Sequence, residues 1–416
     1  MSFKKNIATL MTGTIASQII PIASSPVLTR LYSPDDFGVL VLFVSIATFI
    51  VVVSTGRYDF GLPQTKNIID AANLSVLSFL IVLIFTALIV SLLIIVRNLS
   101  ITINSFGQLV FLVPVSIFLL SCTSILINLS IRFDAYKGIS ISRVFQSLTT
   151  AFIGITIGLY NTMAYGLILA ILVGQIVGFM ILIFSLRKLI FRMSLTDITV
   201  INLIEVAKEY SLFPKKNLPS AIVNSFYNNG KMVILTLLYS TAFTGLLSLT
   251  FRVVQMPITV VSNSVSDVLY RYVSIELQRG DYRSIQSKLK RMAIILSLVG
   301  LVPSITLLLW GEDLFIFVFG EAWGLAGKYA AILSFGFYFQ FIASPFCKVF
   351  YAYNNHSVYL SWEIVRFVLV YLPMLIGYIC LANDILVIAV LSLSLVASYI
   401  LLLFLLKDML KNKEIV

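Results

Sequence analysis

Hydrophobic residues run almost unbroken along this chain, in blocks long enough to cross a bilayer, and short polar stretches separate the blocks. Apolar runs fall at 7–29, 37–55, 70–96, 108–131, 144–160, 164–186, 217–239, 243–269, 292–310, 329–350, 358–381 and 385–406. A helix needs ~20 apolar residues to span the hydrocarbon core, so the pattern predicts about twelve transmembrane helices joined by short connections. The first run has no small-residue cleavage site behind a short apolar core, and it reads as a retained span. Two connections are longer, 187–216 and 270–291. Both predict amphipathic helices along one membrane face, with Ser284–Arg291 carrying a basic cluster.

Composition agrees. Of 416 residues, 59% are hydrophobic and 11% charged, and mean hydropathy is +1.02; soluble domains carry about 25% charge. The expectation is an all-α polytopic membrane protein. Cys122, Cys347 and Cys380 lie in apolar runs without CxxC spacing and read as small buried hydrophobes. The lone His356 cannot build a histidine metal cluster. No GxxxxGK[ST] phosphate loop and no HExxH motif occurs. No cofactor, metal or ATP hydrolysis is therefore expected.

The net charge of +11 acquires meaning from its placement. Basic residues near spans are retained on the cytoplasmic side. With the N-terminus inside, Lys4, Lys5, Arg57, Lys66, Arg132, Lys137, Arg143, Arg187, Lys188, Arg192, Lys208, Lys215, Lys216, the 271–291 cluster, Lys348, Lys407, Lys411 and Lys413 all fall inside. Arg30, Arg97 and Lys328 remain outside. Both termini are then cytoplasmic. The positive surface faces anionic lipid headgroups, and no soluble basic-aromatic surface suggests nucleic acid as a partner.

The two halves share a feature at their opening hairpins. Leu28-Thr29-Arg30-Leu31-Tyr32-Ser33 followed by Gly38 aligns without gaps to Leu235-Thr236-Leu237-Leu238-Tyr239-Ser240 followed by Gly245, at an offset of 207 residues. With an even number of spans in each half, this is a parallel repeat with a substrate site between the halves. The expected lobes are 1–200 and 201–416, related by pseudo-two-fold symmetry around a central cavity.

Charged residues inside spans are costly and mark functional sites. Lys231 and Arg252 lie about nine residues below the outer ends of their runs, ~13 Å deep and near the midplane. Asn224, Asn228 and Lys231 share one helical face, and Arg252, Gln255, Thr259, Ser262 (or Asn263) and Ser266 continue a polar stripe. These stripes line a wet cavity or bond helix to helix. Glu363 and Arg366 are three residues apart, spaced to neutralise one another or to make Glu363 a protonatable switch. Arg30 and Arg57 sit at helix ends, where arginine is an ordinary anchor. Pro21 and Pro26 interrupt the first span as hinges or as inert kinks.

The stretch Pro26-Val27-Leu28-Thr29-Arg30-Leu31-Tyr32-Ser33-Pro34-Asp35-Asp36-Phe37-Gly38, continuing to Gly56-Arg57-Tyr58-Asp59 and the polar Gly61–Lys66 loop, resembles polysaccharide-biosynthesis membrane proteins. These are the O-antigen repeat-unit flippases (Wzx type) of the multidrug/oligosaccharidyl-lipid/polysaccharide exporter superfamily. The Asn228–Gly245 stretch is similar to the same family.

The resemblance implies a MATE-like fold of two six-helix lobes in the bacterial inner membrane. It also implies alternating-access transfer of an undecaprenyl-diphosphate-linked oligosaccharide from the cytoplasmic to the periplasmic leaflet, and no enzyme activity. Arg30, Arg57, Lys231 and Arg252 become candidate diphosphate or sugar contacts, with Asn228 and Gln255 beside them. Glu363, Arg366 and Asp59 become coupling or gating candidates. Membrane lipids and a polysaccharide polymerase, chain-length regulator or ligase are the implied partners. Where the second half would repeat Arg30 it has Leu237, so the cation is not duplicated. The alternatives are a cation-coupled drug exporter of the same fold and a membrane polymerase or glycosyltransferase. The exporter would favour anionic cavity residues, and the enzyme would need a catalytic carboxylate on an outer loop such as 311–328.

Overall fold

The computed structural model describes residues 3–98, 107–160, 163–191, 198–380 and 383–412. Of the residues singled out above, Arg192 and Lys413 lie outside the described residues, as do the side chains of Lys4, Lys5, Arg97, His356 and Cys380.

Each apolar run has become helix. The order is α1 (Phe3–Leu31), α2 (Pro34–Ser54), α3 (Ile68–Asn98), α4 (Val113–Arg132), α5 (Tyr136–Tyr160), α6 (Ala164–Ile190), α7 (Val200–Glu209), α8 (Leu218–Ser225), α9 (Lys231–Leu238), α10 (Thr241–Arg279), α11 (Tyr282–Phe319), α12 (Gly324–Ala343), α13 (Cys347–Ala352), α14 (His356–Cys380) and α15 (Asp384–Asn412). Among the described residues, nine helices are long and apolar enough to cross a membrane. The fold is that of an all-α multi-pass membrane protein.

The chain forms two compact units, Met1–Gly245 and Leu246–Val416. In the first, α1 packs on α5 through a polar seam. Ser140 Oγ donates to the Thr9 carbonyl at 2.8 Å and Arg143 to Thr14 Oγ1 at 2.7 Å. Ser147 Oγ donates to the Ser17 carbonyl at 2.9 Å. That last bond explains how α1 tolerates Pro21: proline removes the amide that would have bonded Ser17, and a neighbouring helix supplies the donor instead. The helix is continuous through Pro21 and Pro26. This seam makes α1 and α5 less apolar than their neighbours, and neither is among the nine.

Helix α2 begins with a capping box: Ser33 accepts from Asp36 N while Asp36 accepts from Ser33 N, and Pro34 occupies the first turn. The 187–216 connection contains the expected amphipathic helix as α7, capped by Thr199. The run at 217–239 is a broken helix. Turns of π-helix at Phe213–Asn217 and Phe226–Gly230 flank α8. The second turn adds backbone between Asn224 and Lys231 and rotates α9 relative to α8, so regular α-helical spacing does not describe this stretch.

In the second unit the expected amphipathic helix over 270–291 is replaced by a tight hairpin. Helices α10 and α11 extend past their apolar cores and meet at Gly280 and Asp281, with Gly280 at φ 73°. The Ser284–Arg291 cluster belongs to the first turns of α11. The expected outer loop 311–328 is likewise mostly helical. Helix α11 bends at Trp310 (φ −126°, ψ 16°) and runs on to Phe319. Gly311 and Gly327 meet there, backbone against backbone, a close approach that only small residues allow. Cys122 is buried and Cys347 half-buried, both as free thiols.

Candidate functional site

A dense polar arrangement in the first unit sits where α2 ends. The chain leaves α2 at Thr55 and turns through two left-handed residues, Gly56 (φ 59°) and Arg57 (φ 63°). It then enters a 3-10 turn over Tyr58–Gln64. Glycine adopts positive φ freely, whereas arginine pays strain, so neighbouring interactions must hold Arg57 in place.

Asp59 supplies them. Its carboxylate is 1% exposed. It accepts from Thr55 Oγ1 at 2.7 Å, from Ser124 Oγ at 2.6 Å and from Asn128 Nδ2 at 3.3 Å. Arg57 N donates to Thr55 Oγ1 at 3.2 Å, which ties the strained residue into the same network. A buried carboxylate is expensive unless its oxygens are satisfied, and this one collects three donors from two elements. Just behind it, Ser54 and Ser121 hydroxyls meet at 2.5 Å.

The Arg57 guanidinium is half-buried and lies 4.4 Å from the centroid of the Phe60 ring. Its Nε is buried without a hydrogen-bond partner. Burial pushes its pKa down, with Asp59 opposing, yet arginine starts so high that it stays charged at neutral pH. The result is a cation on a strained backbone with hydrogen-bonding capacity to spare.

The loop beyond is held from two sides. Arg132, last residue of α4, donates through Nε to the Thr65 carbonyl at 2.9 Å and through an Nη to the Lys66 carbonyl at 3.2 Å. From the other side, Tyr58 Oη donates to the Ala207 carbonyl at 3.3 Å and Lys66 pairs with Glu209 at 2.9 Å. Gly61 lies against Tyr210, Leu74 and Phe213, leaving no room for a β-carbon. The region after the first six helices is thus strapped to the α2–α3 loop.

The remaining candidates are placed as follows. Arg30 is exposed in the last turn of α1, where a cation complements the helix C-terminus. Asn228 is exposed within the π-turn and donates to the Asn224 carbonyl at 3.0 Å. Half-buried Lys231 opens α9. Phe226 of the π-turn meets Phe49 of α2 edge-on at 6.2 Å. Arg252 and Gln255, both half-buried, lie on α10. On α14, Arg366 stands 3.9 Å from Glu363, 3.5 Å from the Tyr399 hydroxyl and 4.5 Å over the Trp362 ring. The self-pairing of Glu363 and Arg366 therefore forms, as one contact within an aromatic cluster.

Sequence reasoning did not single out Thr55, Ser124 or Asn128. A signal existed in Ser121, Ser124 and Asn128, a polar stripe on an otherwise apolar α4. It also missed the ion pair of Lys348 with Asp267 in the second unit. Among the described residues, no group of three or more His, Cys, Asp or Glu is placed to hold a metal.

Comparisons with known proteins add a family and a fold. The family model described as polysaccharide biosynthesis protein matches residues 27–326. No curated protein matches the sequence. Among solved structures, the chain is similar to the lipid II flippase MurJ in an inward closed conformation, with TM-score 0.65, 15% identity and coverage of 96% of this chain and 87% of that one. It is similar to an inward-facing multidrug resistance MATE family transporter of the MOP superfamily, with TM-score 0.58, 11% identity and coverage of 95% of each chain. The Vibrio cholerae MATE transporter VcmN D35N mutant gives TM-score 0.56 and 13% identity over 98% of this chain and 96% of that one. The fold is therefore that of MATE transporters and MurJ, and the chain belongs to the polysaccharide biosynthesis protein family.

Proposed function

We propose that this protein moves an undecaprenyl-diphosphate-linked oligosaccharide, an O-antigen or related repeat unit, across the bacterial inner membrane. Transfer runs from the cytoplasmic to the periplasmic leaflet by alternating access between lobes 1–200 and 201–416, without ATP hydrolysis and with both termini cytoplasmic.

The observation that carries this reading is Arg57. It is a half-buried guanidinium with an Nε lacking a partner, pinned by the Asp59 network at the end of a membrane helix. Such a group offers planar donors to a phosphate oxygen and is already ordered before the ligand arrives. Lys231 and Arg252 are further cation candidates on half-buried helix positions, with Asn228 and Gln255 as polar neighbours and Arg30 at the far end of the first hairpin.

Asp59 already accepts three hydrogen bonds, which supports a positioning role for it rather than ion coupling, and weighs against the drug-exporter alternative. Glu363, paired with Arg366, stays the gating candidate. The enzyme alternative has less support, because Glu312 in the 311–328 segment is paired with Lys328 at 3.1 Å and that segment is helical.

The test is leaflet accessibility of radiolabelled lipid-linked oligosaccharide in vesicles reconstituted with the protein. Transfer dependent on the protein, and lost in Arg57→Ala at equal abundance, is expected. An unchanged distribution with the unmodified chain would overturn the reading.

A further inference from the structure

An apolar groove of about 390 Å³ opens between α3, α4 and α6 in the first unit, a volume in the range of small-ligand sites. Val76 and Phe79 of α3, Ile125 and Leu129 of α4, and Phe179 and Ile183 of α6 line it. Its one hydroxyl, Ser75 Oγ, is turned back to the Ala71 carbonyl at 2.7 Å. The walls thus present almost nothing that would hold water, a sugar or a phosphate, and a site of this kind selects hydrocarbon.

Two further observations say what head that hydrocarbon would carry. Both walls end in arginine at the same end of the groove. Arg132 follows Leu129 by three residues on α4 and adds positive charge there while its guanidinium bonds the Thr65 and Lys66 carbonyls. Arg187 follows Ile183 by one turn on α6, its exposed guanidinium 4.0 Å from the Phe184 ring. An anionic headgroup at that rim leaves its chain level with the groove. In addition, α4 has two working faces: Ser124 and Asn128 hold Asp59 beside Arg57, while Ile125 and Leu129 line the groove. The Asp59 network and the groove therefore lie on neighbouring faces of the same helix.

We infer that the groove between α3, α4 and α6 holds the polyprenyl tail of a phosphate-headed lipid whose head lies at the arginine rim and toward Arg57. The inference rests on the flippase reading and deepens it by naming where the tail docks. Tail docking would order an amphiphile that is otherwise free to diffuse in the leaflet, so less orientational freedom remains to be lost at the head.

Photocrosslinking tests it on the full chain in vesicles, with a diazirine-bearing polyprenyl phosphate and, in parallel, a diazirine-bearing phosphatidylglycerol. The expected result is prenyl-probe adducts on the peptides containing 72–79 and 122–129, and few from phosphatidylglycerol. Ser75→Phe and Leu126→Phe fill the groove from opposite walls, so one misfolded variant does not decide the matter. Either folded variant should lower prenyl labelling about tenfold, the loss expected when roughly two methylene groups lose their burial. Equal labelling by both probes, adducts elsewhere, or labelling that survives both substitutions would overturn the inference. Failure of the flippase reading is detected separately, as absence of transfer by the unmodified chain, and does not alter where the prenyl probe crosslinks.

Discussion

Gly38 and Gly245 exchange the same contact. A β-carbon on Gly38 would collide with the carbonyl oxygen of Thr241, and one on Gly245 would collide with the carbonyl oxygen of Pro34. Pro34 and Thr241 are 207 residues apart, as are Gly38 and Gly245, so each glycine receives the first residue of the other's helix. Thr241 Oγ1 seals the crossing by donating to Asp35 Oδ1 at 2.7 Å. This reciprocity is what a local two-fold relation between the two hairpins requires, and it gives the sequence repeat a physical reason: neither glycine can change while the other's helix start stays in place.

From this contact follows a stability prediction. Backbone carbonyls cannot rotate aside as flexible side chains do, so Gly38→Val and Gly245→Val should each cost about 2–3 kcal/mol, the upper part of the overpacking range. Thermal unfolding of detergent-solubilised protein, followed by loss of the monodisperse chromatographic peak, measures it. Wild-type stability in both variants would show that the helices separate easily at this point.

Asp59→Asn turns one oxygen of a triple acceptor into a donor that faces other donors. A loss of about 2–3 kcal/mol is expected, as for hydrogen bonds to a buried charge. Ser124→Ala, which removes one donor of three, should cost less. Chemical denaturation of the two variants in parallel gives the ranking, and equal losses would contradict the role of Asp59 as the organiser.

Arg57 combines strain with a charge, and substitution can divide the two. Arg57→Gly removes a positive-φ side chain and should leave stability equal or higher, by up to roughly 1–3 kcal/mol offset by the lost Phe60 contact. Transfer of lipid-linked oligosaccharide should nevertheless be lost. A glycine variant that folds and transports normally would show that the guanidinium has no part in function.

The strap formed by α7 and the α2–α3 loop has a defined pH response. The hydrogen bond to Glu209 raises the Lys66 pKa, and burial raises those of Tyr58 and Tyr210. Groups whose folded pKa is raised contribute stability below their unfolded pKa and lose it as pH climbs through the folded value. The strap should hold through neutral and mildly alkaline pH and loosen above about pH 10. Hydrogen exchange of α7 amides across that range reads the change. Tyr210→Phe, which leaves the Tyr58 bond to Ala207 in place, should shift it upward, and loosening of the unmodified protein already at neutral pH would contradict the assignment.

Much of the architecture could be read from the chain alone, because the bilayer imposes a simple rule. Twenty apolar residues in lipid must satisfy their own backbone, so each apolar run became helix. The repeat around Gly38 and Gly245 and the basic residues between spans were equally legible, being linear features. The errors arose where helices outrun their apolar cores. Residues 270–291 and 311–328 are polar enough to resemble loops, yet α10 and α11 continue through them, since a helix already nucleated extends at little cost.

What tertiary structure decided is which polar residues meet. Asp59 is adjacent in sequence to Tyr58 and Phe60, but its significance comes from Ser124 and Asn128, more than sixty positions away. Hydrophobic periodicity says that α4 is a helix; only packing says which side of it faces a carboxylate and which faces a groove. The π-turn before Lys231 and the left-handed Arg57 were hidden for the same reason: no local preference demands them, and contacts from other helices stabilise conformations that the isolated sequence would not choose.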